Sequence, residues 1–191
     1  MSVVFMPERM RISADRLDKM IAAGALTKYD RVELIEGDMI NEPGINPPHS
    51  AITARLNKLL VLSVGDAVIV SPCGSVRLGD YSVPQPDVML LKWREDFYSE
   101  RRPAASDVLL LIEVSDSSFA YDQSTKRALY ARYGVEEYWV VDVQGKRVFA
   151  YTEPAEESYA RVVTCTPADV VSPRAVPAVQ IKVGTLFPGG H

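Results

Sequence analysis

Cysteine and histidine are scarce in this chain: its 191 residues contain two of each. Cys73 and Cys165 lie far apart, so they supply neither a disulfide framework nor the paired thiolates of a zinc site. Such sparse cysteine usage fits a reduced cytoplasm. No apolar run reaches the length needed to cross a bilayer, and the opening MSVVFMPERMR lacks the long apolar core of a signal peptide. A membrane is therefore not an expected partner. A basic excess is missing too. With 21 Lys+Arg against 25 Asp+Glu, the formal charge is −4, which speaks against a surface that coats nucleic acid broadly. A local basic groove remains compatible with that sum, because phosphate contacts depend on how charge is distributed. There is no internal repeat, low-complexity segment or linker. What is left is one domain over residues 1–191, long enough for a substantial core.

The chain is organised around Val108 to Asp142. Val108-Leu109-Leu110-Leu111-Ile112 reads as a strand buried on both faces, and it ends on Glu113. The polar turn Ser115 to Ser118 follows. A helix is expected from about Asp122 to Tyr133, with Lys126, Leu129, Tyr130 and Tyr133 at helical spacing. Tyr138 to Val141 is a second apolar strand. Strand, helix, strand is the pattern of a crossover between parallel strands. Ligands of open α/β sheets gather at the carboxyl ends of such strands.

The rest is read around this unit. Ser13 caps a short helix through Ala23, stopped by Gly24. Residues 31–40 form a hairpin turning at Gly37-Asp38, and 41–48 is a loop. His49 opens a helix to about Val64, with Ile52, Leu56, Leu59 and Leu60 on one face. Strands are expected at 68–70, 75–78 and 87–91, and 93–106 is an exposed loop. The segment 146–151 pairs back on the Trp139 strand, 159–164 is a further strand, and 176–183 a terminal one. The fold class is α/β (α+β): a mixed central sheet flanked by helices. The N-terminal helix and hairpin, about 13–43, and the C-terminal strands, about 146–183, decorate it.

Three features converge on one chemistry. Asp87 starts a strand, Glu113 ends the central one, and Lys126 sits on the helix that follows. Two carboxylates on neighbouring strands make a hard-oxygen site suited to Mg²⁺ or Mn²⁺. Such an ion polarises a phosphodiester and lowers the pKa of an attacking water. A lysine nearby orients that water or offsets developing charge. By spacing alone the set is common to many domains. Asp87 also reads as an exposed turn acid, Glu113 as a salt-bridged strand end, and Lys126 as a solvated partner of Asp122.

Pro86-Asp87 followed by Glu113-Val114-Ser115 resembles the PD-(D/E)XK signature of restriction-endonuclease-like nucleases. More specifically, the chain is similar to the Uma-two family of bacterial endonucleases. The resemblance rests on Val32-Glu-Leu-Ile-Glu-Gly-Asp-Met-Ile40, Pro47-Pro-His-Ser50, Pro84-Gln-Pro-Asp-Val88, Leu111-Ile-Glu-Val-Ser-Asp-Ser-Ser118, Tyr121-Asp122 through Lys126 and Tyr130-Ala131, and Gly134 to Asp142, in family order. It implies a restriction-endonuclease-like fold and a Mg²⁺-dependent (or Mn²⁺-dependent) endonuclease acting on DNA. Catalysis would rest on Asp87, Glu113 and Lys126. The metal would be held by Asp87, Glu113 and the carbonyl of Val114. Glu36, His49, Gln85, Ser115 and Asp122 would support the site. Ser115 stands where the signature carries its lysine, so the resemblance transfers that lysine's work to Lys126. A homodimer is compatible with the family's fold, although the sequence shows no dimer motif. Two other functions fit the same residues: a non-catalytic scaffold that binds nucleic acid or a protein, and a hydrolase of small phosphoesters.

Overall fold

A computed structural model describes residues 9–27, 30–42 and 44–187. The opening segment read for a leader falls largely in 1–8, and Pro43 of the loop also lies outside the described residues. Among the described residues no helix is long and apolar enough to cross a membrane.

Helix α1 (Ala14–Ala22) is capped by Ser13, whose side chain accepts from the Arg16 amide. Strands β1 (Val32–Ile35) and β2 (Asp38–Asn41) form an antiparallel hairpin of their own, with Ile35 opposite Asp38. Its turn is therefore Glu36-Gly37, at φ +51° and +91°. Two successive positive φ values are what a two-residue hairpin of native twist requires. A Cβ on Gly37 would lie 2.6 Å from that of Arg11, so glycine is needed there for space as well.

Helix α2 (Pro47–Val64) starts two residues before His49. Two prolines fill its first positions, where their missing N–H groups cost nothing, and Asn46 accepts from the His49 amide as N-cap. Asn46→Ala is expected to lower stability by about 1 kcal/mol, as loss of such a cap does, read from the urea unfolding midpoint.

The central sheet has six strands in the order β3-β4-β5-β6-β7-β8. They are β3 (Val68–Pro72), β4 (Val88–Lys92), β5 (Val108–Ser115), β6 (Glu137–Asp142), β7 (Arg147–Pro154) and β8 (Tyr159–Cys165). Only β5 and β6 run parallel, as the strand-helix-strand pattern predicts; every other pairing is antiparallel. The expected C-terminal decorations therefore divide. Strands β7 and β8 complete the central sheet, while β9 (Val170–Val171) and β10 (Ile181–Lys182) form a separate two-stranded pair. The strand expected at 75–78 is reduced to isolated bridges at Arg77 and Leu78. The chain turns back at once, Leu78 pairing with Ser82 across Gly79 at φ +65°.

Helix α2 covers one face of the sheet. Its Ile52, Leu56 and Leu60 are wholly buried with Leu110, Ile112 and Trp139. Burying each such side chain stabilises by about 1.5–3 kcal/mol. The other face carries Leu111, Tyr138 and Val140 against Leu129 and Tyr130. Those two belong to α4 (Arg127–Arg132), which continues from the short α3 (Phe119–Tyr121) through a π-helical stretch, Asp122–Lys126. There the Arg127 amide reaches Asp122 O, five residues back. The wider turn brings both Asp122 and Lys126 to the buried side, at 2% and 6% exposure.

Candidate active site

Strand β5 runs two residues beyond its expected end at Glu113, so Glu113 lies inside the strand. By the strand's period of two it shares a face with Leu111 and Ser115, towards the α3–α4 segment. Glu113 is only 4% exposed and is partnered accordingly. Its Oε1 accepts from Lys126 Nζ at 2.9 Å and from the Tyr130 hydroxyl at 2.8 Å. Lys126 thus points at Glu113 from the helix.

Lys126 has a second carboxylate partner that sequence reasoning missed. Glu33 of β1 places Oε1 3.0 Å from Nζ and also accepts from the Gln85 amide at 2.6 Å. The expected acid from this hairpin, Glu36, is corrected to a different place. The Glu36-Gly37 turn swings it outward to pair with Arg132, and it does not line the site. The signal for Glu33 was its position: a charge between Val32 and Leu34, in mid-strand rather than at the turn.

Asp87 stands just before β4. Its Oδ2 accepts from the Val114 amide at 2.8 Å, and His49 Nε2 lies 3.1 Å from Oδ1. Asp122 accepts from Ser115 Oγ at 2.7 Å and Ser118 Oγ at 2.6 Å, and lies 4.0 Å from Lys126 Nζ. Ser115, completely buried, is therefore committed to Asp122. Gln85 ties the hairpin down twice, through its amide to Glu33 and its side chain to Val32 O at 3.1 Å. Of the residues expected at the site, Asp87, Glu113, Lys126, His49, Gln85 and Asp122 line one cleft of about 230 Å³, joined by Glu33.

Electrostatics follow from this crowding. Burial pushes Glu113 well above the ordinary carboxylate range; Lys126 opposes the shift, and Asp122, Asp87 and Glu33 reinforce it. Burial also raises Asp122, against Lys126 and the two serines. Burial disfavours the Lys126 ammonium, but Glu113, Glu33 and Asp122 outweigh that cost and hold it firmly charged. For His49, burial pulls the pKa down, and the hydrogen bond and charge of Asp87 more than reverse it. A histidine raised in the folded state contributes stability that is full below its unfolded value of about 6.5 and is lost as pH rises through the folded one. With only two histidines in the chain, an NMR titration resolves His49 directly. Asp87→Asn is expected to bring its pKa down to or below about 6.5, since burial then acts unopposed by that carboxylate.

The mixed sheet that carries this cleft has a counterpart among solved structures. A putative nuclease belonging to DUF820 from Anabaena variabilis shares it, with a TM-score of 0.72 and 19% identity, over 92% of this chain and 97% of that one. Residues 19–184 match Uma2, described as putative restriction endonuclease, and the chain belongs to that family. An uncharacterized protein of Synechocystis sp. is 27% identical over 135 residues, which span 68% of this chain and 76% of that protein.

Proposed function

We propose that this protein is a divalent-metal-dependent nuclease that hydrolyses phosphodiester bonds in DNA, with Asp87, Glu113 and Lys126 as its catalytic residues. The observation that carries the reading is the convergence of these three side chains, from three separate elements, on one cleft.

The donor set fits a hard cation. Among the described residues no group of three or more ligating side chains forms a ready-made cage. Magnesium seldom needs one: it typically binds through one or two carboxylates, waters and the substrate's own phosphate oxygens. Asp87 and Glu113 would hold it. Both hydrogen bonds to Glu113 fall on Oε1, which leaves its other oxygen for a ligand. The Val114 amide donates to Asp87, and the carbonyl of the same residue would be a third ligand. The cleft's surplus of carboxylates over cationic groups also favours a divalent ion. When bound, the ion would polarise the phosphoryl oxygen and make water nucleophilic at neutral pH.

The protein's own groups supply the rest. Lys126 would orient the attacking water and stabilise charge building on the phosphoryl oxygens. Tyr130 and Glu33 fix its ammonium and the Glu113 carboxylate against one another. His49 would hold Asp87 in its orientation and contact phosphate from the opposite wall.

Calorimetric titration of Mn²⁺ into the wild type, Asp87→Ala and Glu113→Ala, with and without a short DNA duplex, tests the metal site. Binding is expected to be lost in both variants while they stay folded. No binding even with DNA, or binding unchanged by either substitution, would leave a nuclease-like scaffold without catalysis.

A further inference from the structure

Short, tied segments wall the cleft. The β1–β2 hairpin and the loop after it form one wall, fixed to the site by Glu33 through Lys126 and the Gln85 amide. The first turn of α2 brings His49, and the turn after β5 brings Asp116 to Ser118. Asn46 of the first wall bonds across to Asp116 of the last. At about 230 Å³ the space is at or below the small end of ligand clefts. A second cavity of about 500 Å³ shares Arg31, Glu42, Ile45, Gln85 and Asp87 with it. The two cavities adjoin at Asp87.

Charge and apolar surface point the same way. The Arg and Lys residues that line the two cavities are already paired: Arg31 with Glu42 at 2.8 Å, Lys126 with Glu33 and Glu113, and Arg102 with Asp18. Duplex binding draws its strength from many unpaired Lys and Arg residues meeting two phosphate backbones. Proteins that hold a single strand add apolar and aromatic platforms for unstacked bases to their phosphate contacts, and stacking carries a large share of the affinity. The first cavity offers Ile40, Ile45 and the ring of Tyr121. The Tyr121 hydroxyl is buried and, among the described residues, bonds to nothing, although most buried hydroxyls are satisfied. Tyr121 lines the same cleft as the acids, with its hydroxyl behind the surface. Burial, with Glu33 adding to it, keeps that hydroxyl protonated as a donor.

We propose that the cleft takes a single unpaired DNA strand, with Tyr121 contacting the bound nucleotide directly, and that it excludes intact duplex. The inference rests on the nuclease reading and narrows its substrate class. Tyr121 then sets specificity: its ring packs on a base while its hydroxyl donates to a base edge or a phosphate oxygen.

Fluorescence anisotropy of an end-labelled twelve-nucleotide oligothymidylate, and of a hairpin duplex closed at one end, decides the matter. Both are measured in Ca²⁺, an oxygen-seeking ion like Mg²⁺. Cleavage of the same probes in Mn²⁺ is followed on gels. The single strand is expected to bind about tenfold or more tighter than the duplex and to be the one cut. Tyr121→Phe should weaken single-strand binding by about three- to tenfold, the worth of one hydrogen bond. Tyr121→Ala, which also removes the ring, should weaken it roughly tenfold or more. Urea midpoints close to wild type would show that both variants are folded. Equal or tighter binding of the duplex, or cuts in its interior that Asp87→Ala abolishes, would overturn the single-strand assignment and leave the nuclease intact. Single-strand affinity unchanged in both Tyr121 variants would remove Tyr121 from the contact. Failure to bind or cut either probe would overturn both readings.

Discussion

Asp87→Ala and Glu113→Ala are each expected to reduce metal-dependent cleavage by about 10³-fold or more, equivalent to roughly 4 kcal/mol or more of transition-state stabilisation. The measurement is the initial rate of oligonucleotide cleavage in Mn²⁺, with the far-UV spectrum and urea midpoint taken alongside. The two losses share a cause but not their side effects. Asp87 holds His49 and the Val114 amide, so its removal loosens the junction of α2 and β5 as well as removing a ligand. Glu113 is deeper, and its charge is already disfavoured by burial. Glu113→Gln keeps the shape and an oxygen for Lys126 and Tyr130 while removing the charge, so it should lose cleavage with little change in stability. Cleavage that survives in either alanine variant would sink the assignment of both acids.

Much of this site was legible before the structure, and the parts that were not share a physical reason. Asp87 and Glu113 could be read because each acid sits at a boundary between an apolar strand and polar turns, in an order that resembles a nuclease signature. The β5–β6 crossover was readable from two apolar runs separated by one helix. Glu33 was not, because the hairpin holds two acids and the more turn-like one, Glu36, looked the more available. Only the turn's positive φ values show that Glu36 is thrown outward. The π-helical stretch left no mark in composition. It exists because Asp122 and Lys126 are both drawn inward by partners on β1 and β5, a pull that no local propensity records. For the same reason β5 outruns its apolar sequence: a glutamate can continue a buried strand once a lysine from another element meets it.

Lys126→Met should be the most destabilising single change at the site, by about 3–5 kcal/mol in urea unfolding near neutral pH. A surface lysine paired at helical spacing would contribute only about 0.3–0.5 kcal/mol, so the number separates the two roles. The large value follows from what stays behind. With the ammonium gone, Glu33 and Glu113 remain buried without a counter-charge. Glu113 escapes part of the penalty by binding a proton, which the unfolded chain does only near the ordinary glutamate value of about 4.3. In the variant the folded state then holds more protons than the unfolded one, so stability falls as pH rises. The deficit against wild type should accordingly be small near pH 5 and grow towards pH 8. Adding Glu33→Gln and Glu113→Gln to Lys126→Met should recover much of the stability and flatten the pH dependence, while cleavage stays lost. A deficit below about 1 kcal/mol that does not change with pH would mean that Lys126 is solvated. It would then be a poor candidate for the lysine that replaces the one missing at Ser115, because a side chain free in water is not fixed where the attacking water must be held.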